Sequence, residues 1–318
     1  MSRYARQEAV IGAAGQARLP RARVLVVGAG GLGAPVLQYL VGAGLGEIRL
    51  VDPDRVEEAN LHRQTLFRAT DIGAPKAEAA AQSLRGLDPA CRITPVCAAL
   101  DPASAPALAE GMDLVLDCAD SFAVAYTLSD LCQSRGQPLI HAAVTGTEGY
   151  AGGFCGGAPS LRAVFPDLPP RFGSCAEDGV LGPVVGVIGA LQAQMALAVL
   201  AGLPSPLGRL LRYDGAAQRF GGFGFLGAPE PAFAPRFIAA SEIRADDFIV
   251  DLRAEAEAPL LRPDALRRSV ADVARTLPAP GQRAVLCCRS GQRSWSAAER
   301  LAPLWRGEIT LVALGDPA

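Results

Sequence analysis

Runs of apolar residues alternate with helix-period stretches through the first two hundred positions. "RVLVV" (23–27) is apolar without a break after Arg23, as in a buried strand. It runs into the glycine turn "GAGGLG" and then an apolar helix pattern to about residue 44, and "EIRLVD" supplies the next strand. The order repeats with a helix at 74–87, strands "RITPVCA" and "DLVLDCAD", a helix at 122–134 and strand "PLIHAAV". Such alternation predicts an α/β, Rossmann-like, mainly parallel sheet with helices on both faces. From 146 to 182 glycine and proline dominate, which predicts strand ends and a long mobile loop. The stretch "VVGVIGALQAQMALAVLAGL" (184–203) is long enough to span a bilayer, but Gln192 and Gln194 interrupt it and charged anchors are missing. It is therefore expected to be a buried or subunit-contact helix, with no membrane partner.

A second pattern begins past residue 220. "GGFGFLGAPEPAFAP" (221–235) has no helical period and reads as a linker. Beyond it "DFIVDLR", "RAVLCC", "RSWSAAERLAPLW" and "EITLVAL" read as strand, strand, helix and strand, a small second α/β unit. The expected organisation is 1–220, a linker at 221–235, and 236–318. A chain of 318 residues can bury two such cores.

Charge and cysteine usage remove some partners. A net charge of -2 gives no general basic field, so nucleic acid is not expected. The N-terminal "MSRYARQEAVIG" has no apolar core of the signal-peptide kind, which reads as cytoplasmic. None of the eight cysteines has CxxC spacing, so no zinc site is expected from paired thiolates. Cys175 and Cys288 alone lie in stretches that read as exposed loops.

The chemistry concentrates after the first strand. Gly28, Gly30, Gly31 and Gly33 follow a strand and open a helix, where backbone N–H groups can hold phosphate. Asp52, at the end of the next strand, suits a ribose hydroxyl; Asp54 beside it is a candidate ligand or a plain turn residue. This much fits a nicotinamide dinucleotide as well as ATP. Asn60, Arg63 and Gln64 follow in "NLHRQTLF", then Lys76 in "GAPKAE", and Asp120 after a strand in "LDCADS". Lys76 is the single lysine among 30 basic residues, the rest being arginine. Two cations and a carboxylate suit a triphosphate with Mg²⁺, because Mg²⁺ prefers oxygen ligands. The bland alternatives are an exposed ion pair for Arg63, a helix cap for Asp120 and a solvated helix face for Lys76.

These stretches, with "RYARQ" and "GVLGPVVGVIGALQA", resemble the ThiF/MoeB/HesA family, bacterial relatives of ubiquitin-activating enzymes, over about residues 3–220. The resemblance implies adenylation of the C-terminal glycine of a small ubiquitin-like sulfur carrier with ATP and Mg²⁺ by a homodimer. It puts Gly31 in the phosphate loop, Asp52 on the ribose, Asn60, Arg63 and Lys76 near the triphosphate, Asp120 on the metal, and Arg6 across the dimer on the partner's ATP. Two departures stand out. "SLRAVFP" carries Ser160 and Ala163 where the family's first zinc-binding thiol pair would lie, and the second pair is missing near 225–235. Ser121 stands where asparagine often follows the metal aspartate. They leave open a specialised peptide or small carboxylate as substrate.

Cys175 aligns with a cysteine that some relatives use covalently; as a loop thiol it is a fair nucleophile. Cys288 in "LCCRSGQRSWSAAERL" ends a strand before a loop and helix, where backbone N–H groups with Arg289 and Arg293 would favour thiolate or persulfide. That segment is similar to the active loop of a shortened rhodanese (sulfurtransferase) domain, and "IVDLR", with Asp251 and Arg253, to its earlier strand. A cysteine desulfurase is then an expected sulfur donor, and a degenerate docking domain the alternative. The competing readings of the whole are an NAD-dependent oxidoreductase and a non-catalytic scaffold for a ubiquitin-like partner.

Overall fold

The computed structural model describes residues 3–167 and 179–315. Helix α1 (Ala5–Arg18) leads into β1 (Arg23–Val27), α2 (Gly33–Gly42), β2 (Glu47–Val51), α3 (Lys76–Arg85), β3 (Arg92–Val96) and the single turn α4 (Ala105–Leu108). Then come β4 (Leu114–Asp117), α5 (Phe122–Arg135), β5 (Pro138–Thr145), β6 (Glu148–Cys155), the single turn α6 (Leu161–Val164), α7 (Gly182–Ala201), β7 (Arg209–Asp214) and β8 (Arg219–Gly224). These strands form one sheet in the order β3-β2-β1-β4-β5-β6-β7-β8. The first five are parallel and the last three antiparallel.

The central strands β1 and β4 are apolar at Val24–Val27 and Leu114–Leu116 because both faces are covered there. Val24 and Val26 enter the core beneath α2 and α7, while Leu25 and Val27 enter the core on the opposite face with α5. The chain order reverses between β1 and β4, so the crevice at their C-terminal ends is the switch point where an open α/β sheet takes its ligand. The long helix α7 packs on α1, α2, β5 and β6. Its Gln192 is fully buried and donates from Nε2 to the carbonyls of Asp117 and Ile140 at 2.6 and 3.1 Å. The polar interruption of this 20-residue apolar helix is thus met by strand-end carbonyls in the interior.

Two stretches differ from the sequence expectation. Within 146–182, residues 148–155 form β6 rather than loop. The linker expected from 221 gives its first four residues to β8, paired with β7 from Arg209↔Gly224 to Asp214↔Arg219.

A second sheet follows, from β9 (Arg236–Phe237), β10 (Phe248–Asp251), β11 (Leu266–Arg267), β12 (Ala284–Cys288) and β13 (Ile309–Ala313), with α8 (Gln292–Leu301) before the last strand. Its order is β11-β10-β12-β13-β9, all parallel. This unit packs directly on the first: Trp295, fully buried, lies 5.5 Å from the Phe122 ring and 4.8 Å from the Tyr126 ring of α5. The guanidinium of Arg162 lies 5.0 Å from the Tyr126 ring and 4.8 Å from Trp295, and it bonds Asp130 bidentately and the Pro235 carbonyl. One cation therefore ties both units to the connecting segment.

Candidate active site at the β1/β4 crevice

The glycine turn after β1 is shaped by close backbone approach. Gly28 has φ +98°, and a Cβ there would lie 2.7 Å from the carbonyl carbon of Cys118, just past β4. A Cβ on Gly33 would lie 2.1 Å from the Gly28 carbonyl oxygen. Both positions exclude any other side chain. Gly31 meets α7 and the 60–64 segment: its Cβ would lie 2.6 Å from Val185 Cγ1 and 3.4 Å from the Arg63 carbonyl. Gly30 faces Gln64, whose Oε1 is buried without a partner among the described residues. An orphan acceptor facing the turn fits a bound ligand that donates a hydrogen bond there.

Asp52 is buried and accepts from the Ala29 N–H at 2.7 Å and the Asp54 N–H at 2.9 Å. Burial pushes its carboxyl above the ordinary range, against the pull of those two N–H groups. Lys76, the first residue of α3, is only 5% exposed and places Nζ 2.8 Å from Asp54 Oδ2. The solvated-face alternative is thereby excluded: the lone lysine is buried beside the acidic pair. Arg63 donates to Asn60 Oδ1 at 2.7 Å and lies 2.8 Å from His62 Nε2. No carboxylate faces it among the described residues.

Asp120 is exposed at the mouth of the crevice, two residues beyond Cys118, and it is not the helix cap. Ser121 is the cap of α5, accepting from the Val124 N–H at 3.4 Å. A single carboxylate plus ligand phosphates suffices for Mg²⁺, so the donor set fits that ion. Arg6 is exposed in the first turn of α1, and nothing joins it to the crevice of its own chain among the described residues. Cys175 lies outside the described residues.

A hydrogen-bond network beneath the crevice was not expected from the sequence. His141 bonds Asp117 Oδ2 through Nδ1 at 2.7 Å and the Tyr150 hydroxyl through Nε2 at 3.0 Å. Cys118 Sγ lies 3.4 Å from Gln192 Oε1. Where paired thiols would hold zinc, Glu230 instead accepts from the Ser160 N–H at 2.8 Å and the Ser160 hydroxyl at 2.5 Å. This carboxylate clip joins the two segments directly.

The second unit corrects one expectation. Cys288 is not on an exposed loop; it is the last residue of β12 and fully buried. Its sulfur receives the Gly291 N–H at 3.1 Å and the Ser294 N–H at 3.4 Å, and lies 3.5 Å from the Ser294 hydroxyl. A Cβ on Gly291 would lie 2.6 Å from the Phe237 ring and 3.4 Å from Ala123, so the loop abuts the first unit. Arg293 turns to Glu257. Cys287 enters the other core, as expected from strand alternation. Cys97, not singled out from sequence, is an exposed thiol.

A glycine turn at a switch point with a buried acid at the end of β2 bonded to it is the arrangement of an α/β nucleotide-binding enzyme. Comparison makes the class specific: residues 4–230 match the ThiF family, and the chain belongs to it. It is 42% identical over 225 residues to "SAMP-activating enzyme E1" of Haloferax volcanii, covering 69% of this chain and 83% of that one. It is 42% identical over 231 residues to "Sulfur carrier protein adenylyltransferase" of Thermus thermophilus, covering 69% and 85%. "Adenylyltransferase and sulfurtransferase UBA4" of Yarrowia lipolytica is 44% identical over 208 residues, and the match spans about half (52%) of that protein. Among solved structures, E. coli MccB with ATP aligns with TM-score 0.64 at 22% identity over 73% of this chain and 74% of that one, a likeness of fold.

Proposed function

We propose that this chain uses ATP to adenylate the C-terminal glycine carboxylate of a small ubiquitin-like sulfur carrier. The observation that carries the reading is the glycine turn at the β1/β4 switch point with the Arg63 carbonyl against Gly31 and the buried Lys76 paired to the exposed Asp54 beside Asp52. The names of the Haloferax and Thermus relatives support the same substrate class. In this reaction the carboxylate oxygen bonds the α-phosphorus, the bond to the β-phosphate oxygen breaks, and pyrophosphate leaves. Backbone N–H groups of the turn and the cations Arg63 and Lys76 hold the phosphates and offset the charge that builds on them. Asp52 holds the ribose. Asp120 would hold Mg²⁺, which supplies Lewis-acid stabilisation of the phosphate oxygens. Arg6, exposed on α1, reaches the crevice of a second copy in a homodimer.

A hydride-transfer reading is less favoured, because both histidines are engaged: His141 between Asp117 and Tyr150, His62 beside Arg63. Cys288, in its two-donor cradle, is the candidate persulfide carrier of the second unit, loaded by a cysteine-desulfurase type of donor. What supports this step is the cradle itself, two backbone N–H groups directed at the sulfur. The test is pyrophosphate–ATP exchange with a carrier ending in Gly-Gly. Exchange that depends on the carrier and survives Cys288→Ser supports the reading. No exchange with any such carrier refutes the adenylation step.

A further inference from the structure

The second unit holds a concave pocket of about 710 Å³, whose lining includes neither a residue of the β1/β4 crevice nor Cys288. It opens at the C-terminal ends of β10 and β11, beside the point where the second sheet's strand order reverses between β10 and β12. Such reversals are where parallel sheets bind ligands. Arg253, Arg267, Arg268, Arg275 and Arg293 line it, with Asp272 the one acid in the wall.

The charges do not cancel. Arg253 is paired with Asp251, Arg293 with Glu257 and Arg275 with Asp272. Arg267 donates to the carbonyls of Arg253 and Ala258, and Arg268 to the Arg267 carbonyl and the Thr276 hydroxyl. Neither meets a carboxylate among the described residues. Each guanidinium carries about five N–H donors, so both keep donors to offer. The pocket is left with two unneutralised guanidiniums, the charge complement of a dianion. Planar guanidinium forks match tetrahedral phosphate oxygens bidentately. The volume also exceeds what a bare inorganic anion fills and falls in the range of small organic ligands.

We propose that this pocket binds a dianionic phosphate group carried on a small organic molecule, with Arg267 and Arg268 as its principal ligands. Cys288 is fully buried and is absent from the lining, while Arg293, next to the Ser294 that donates to its sulfur, borders the pocket.

The test is calorimetric titration of the full chain with ribose 5-phosphate, inorganic phosphate and thiosulfate, with and without saturating ATP. Ribose 5-phosphate is expected to bind more tightly than inorganic phosphate, unaffected by ATP, and about tenfold more weakly to Arg267→Gln/Arg268→Gln. That variant keeps wild-type pyrophosphate–ATP exchange. Arg268→Lys, which keeps the charge but loses the fork, serves if the double variant misfolds, and is expected to weaken binding several-fold. Displacement by ATP, unchanged affinity in the variants, tighter binding of thiosulfate, or no binding of any of the three overturns the proposal. Inorganic phosphate binding as tightly as the ester overturns the organic part of the assignment.

Discussion

Replacing Lys76 by arginine keeps the charge and changes only its shape, so it isolates what the lone lysine does. The side chain is almost wholly enclosed, with Nζ 2.8 Å from Asp54 Oδ2 and its own N–H bonded to the Asp54 carbonyl at 2.9 Å. A longer, planar head cannot occupy that point without displacing its surroundings. A unit charge about 4 Å from a phosphate oxygen, at an effective dielectric near 20, contributes about 4 kcal/mol. The Asp54 carboxylate is 63% exposed, so its competing hold on the ammonium is screened and worth at most about 1 kcal/mol. The difference, about 3 kcal/mol realised in the transition state, corresponds to a loss of roughly a hundredfold in rate. The assay is carrier-dependent pyrophosphate–ATP exchange on Lys76→Arg, with thermal melting to confirm folding. Asp54→Asn is the control and is expected to lose less than about tenfold. A folded Lys76→Arg protein with exchange within about threefold of wild type would refute the reasoning.

Gly31→Ala places a methyl 2.6 Å from Val185 Cγ1, and displacing α7 at the turn should weaken ATP binding about tenfold by calorimetry; unchanged affinity would mean that the turn does not touch the nucleotide. Glu230→Gln breaks the Ser160 clip and should cost about 1–3 kcal/mol in denaturant unfolding. A chelator should leave wild-type stability unchanged, whereas a chelator-induced loss would indicate structural zinc. Glu257 is held down to about 2 by Arg293 and the Ala254 N–H. Its folded-state value lies below its unfolded one, so its contribution is present above about pH 4.5 and is lost as pH falls towards 2. Fluorescence of Trp295 and Trp305, both in the second unit, should report that loss, and Glu257→Gln should flatten it.

The sheet's centre was legible because strands buried on both faces read as near-continuous apolar runs, as "VLVV" (24–27) and "LVL" (114–116) do. What escaped were the glycine-rich strands. In β6, Gly149 and Gly152 leave room for Ala143 and Phe154, since a Cβ on either would lie 2.8 Å from them. In β8, Gly222 would place a Cβ 2.4 Å from the Leu210 carbonyl. There glycine signals close approach rather than a turn. The short stretches that carry the candidate crevice residues were legible because their spacing follows the strand ends. Gln192 was not, since it meets Asp117 from 75 positions away. The burial of Cys288 was also hidden, because Phe237 and Ala123 seal its loop from other parts of the chain.

Equilibrium binding of ATP and of NAD to the same preparation, with Mg²⁺ present, tests the central claim most directly. Saturable ATP binding that NAD does not displace, weakened about tenfold or more by Asp120→Ala only when Mg²⁺ is present, is the predicted result. Preferential binding of NAD, or no nucleotide binding at all, would contradict the triphosphate site.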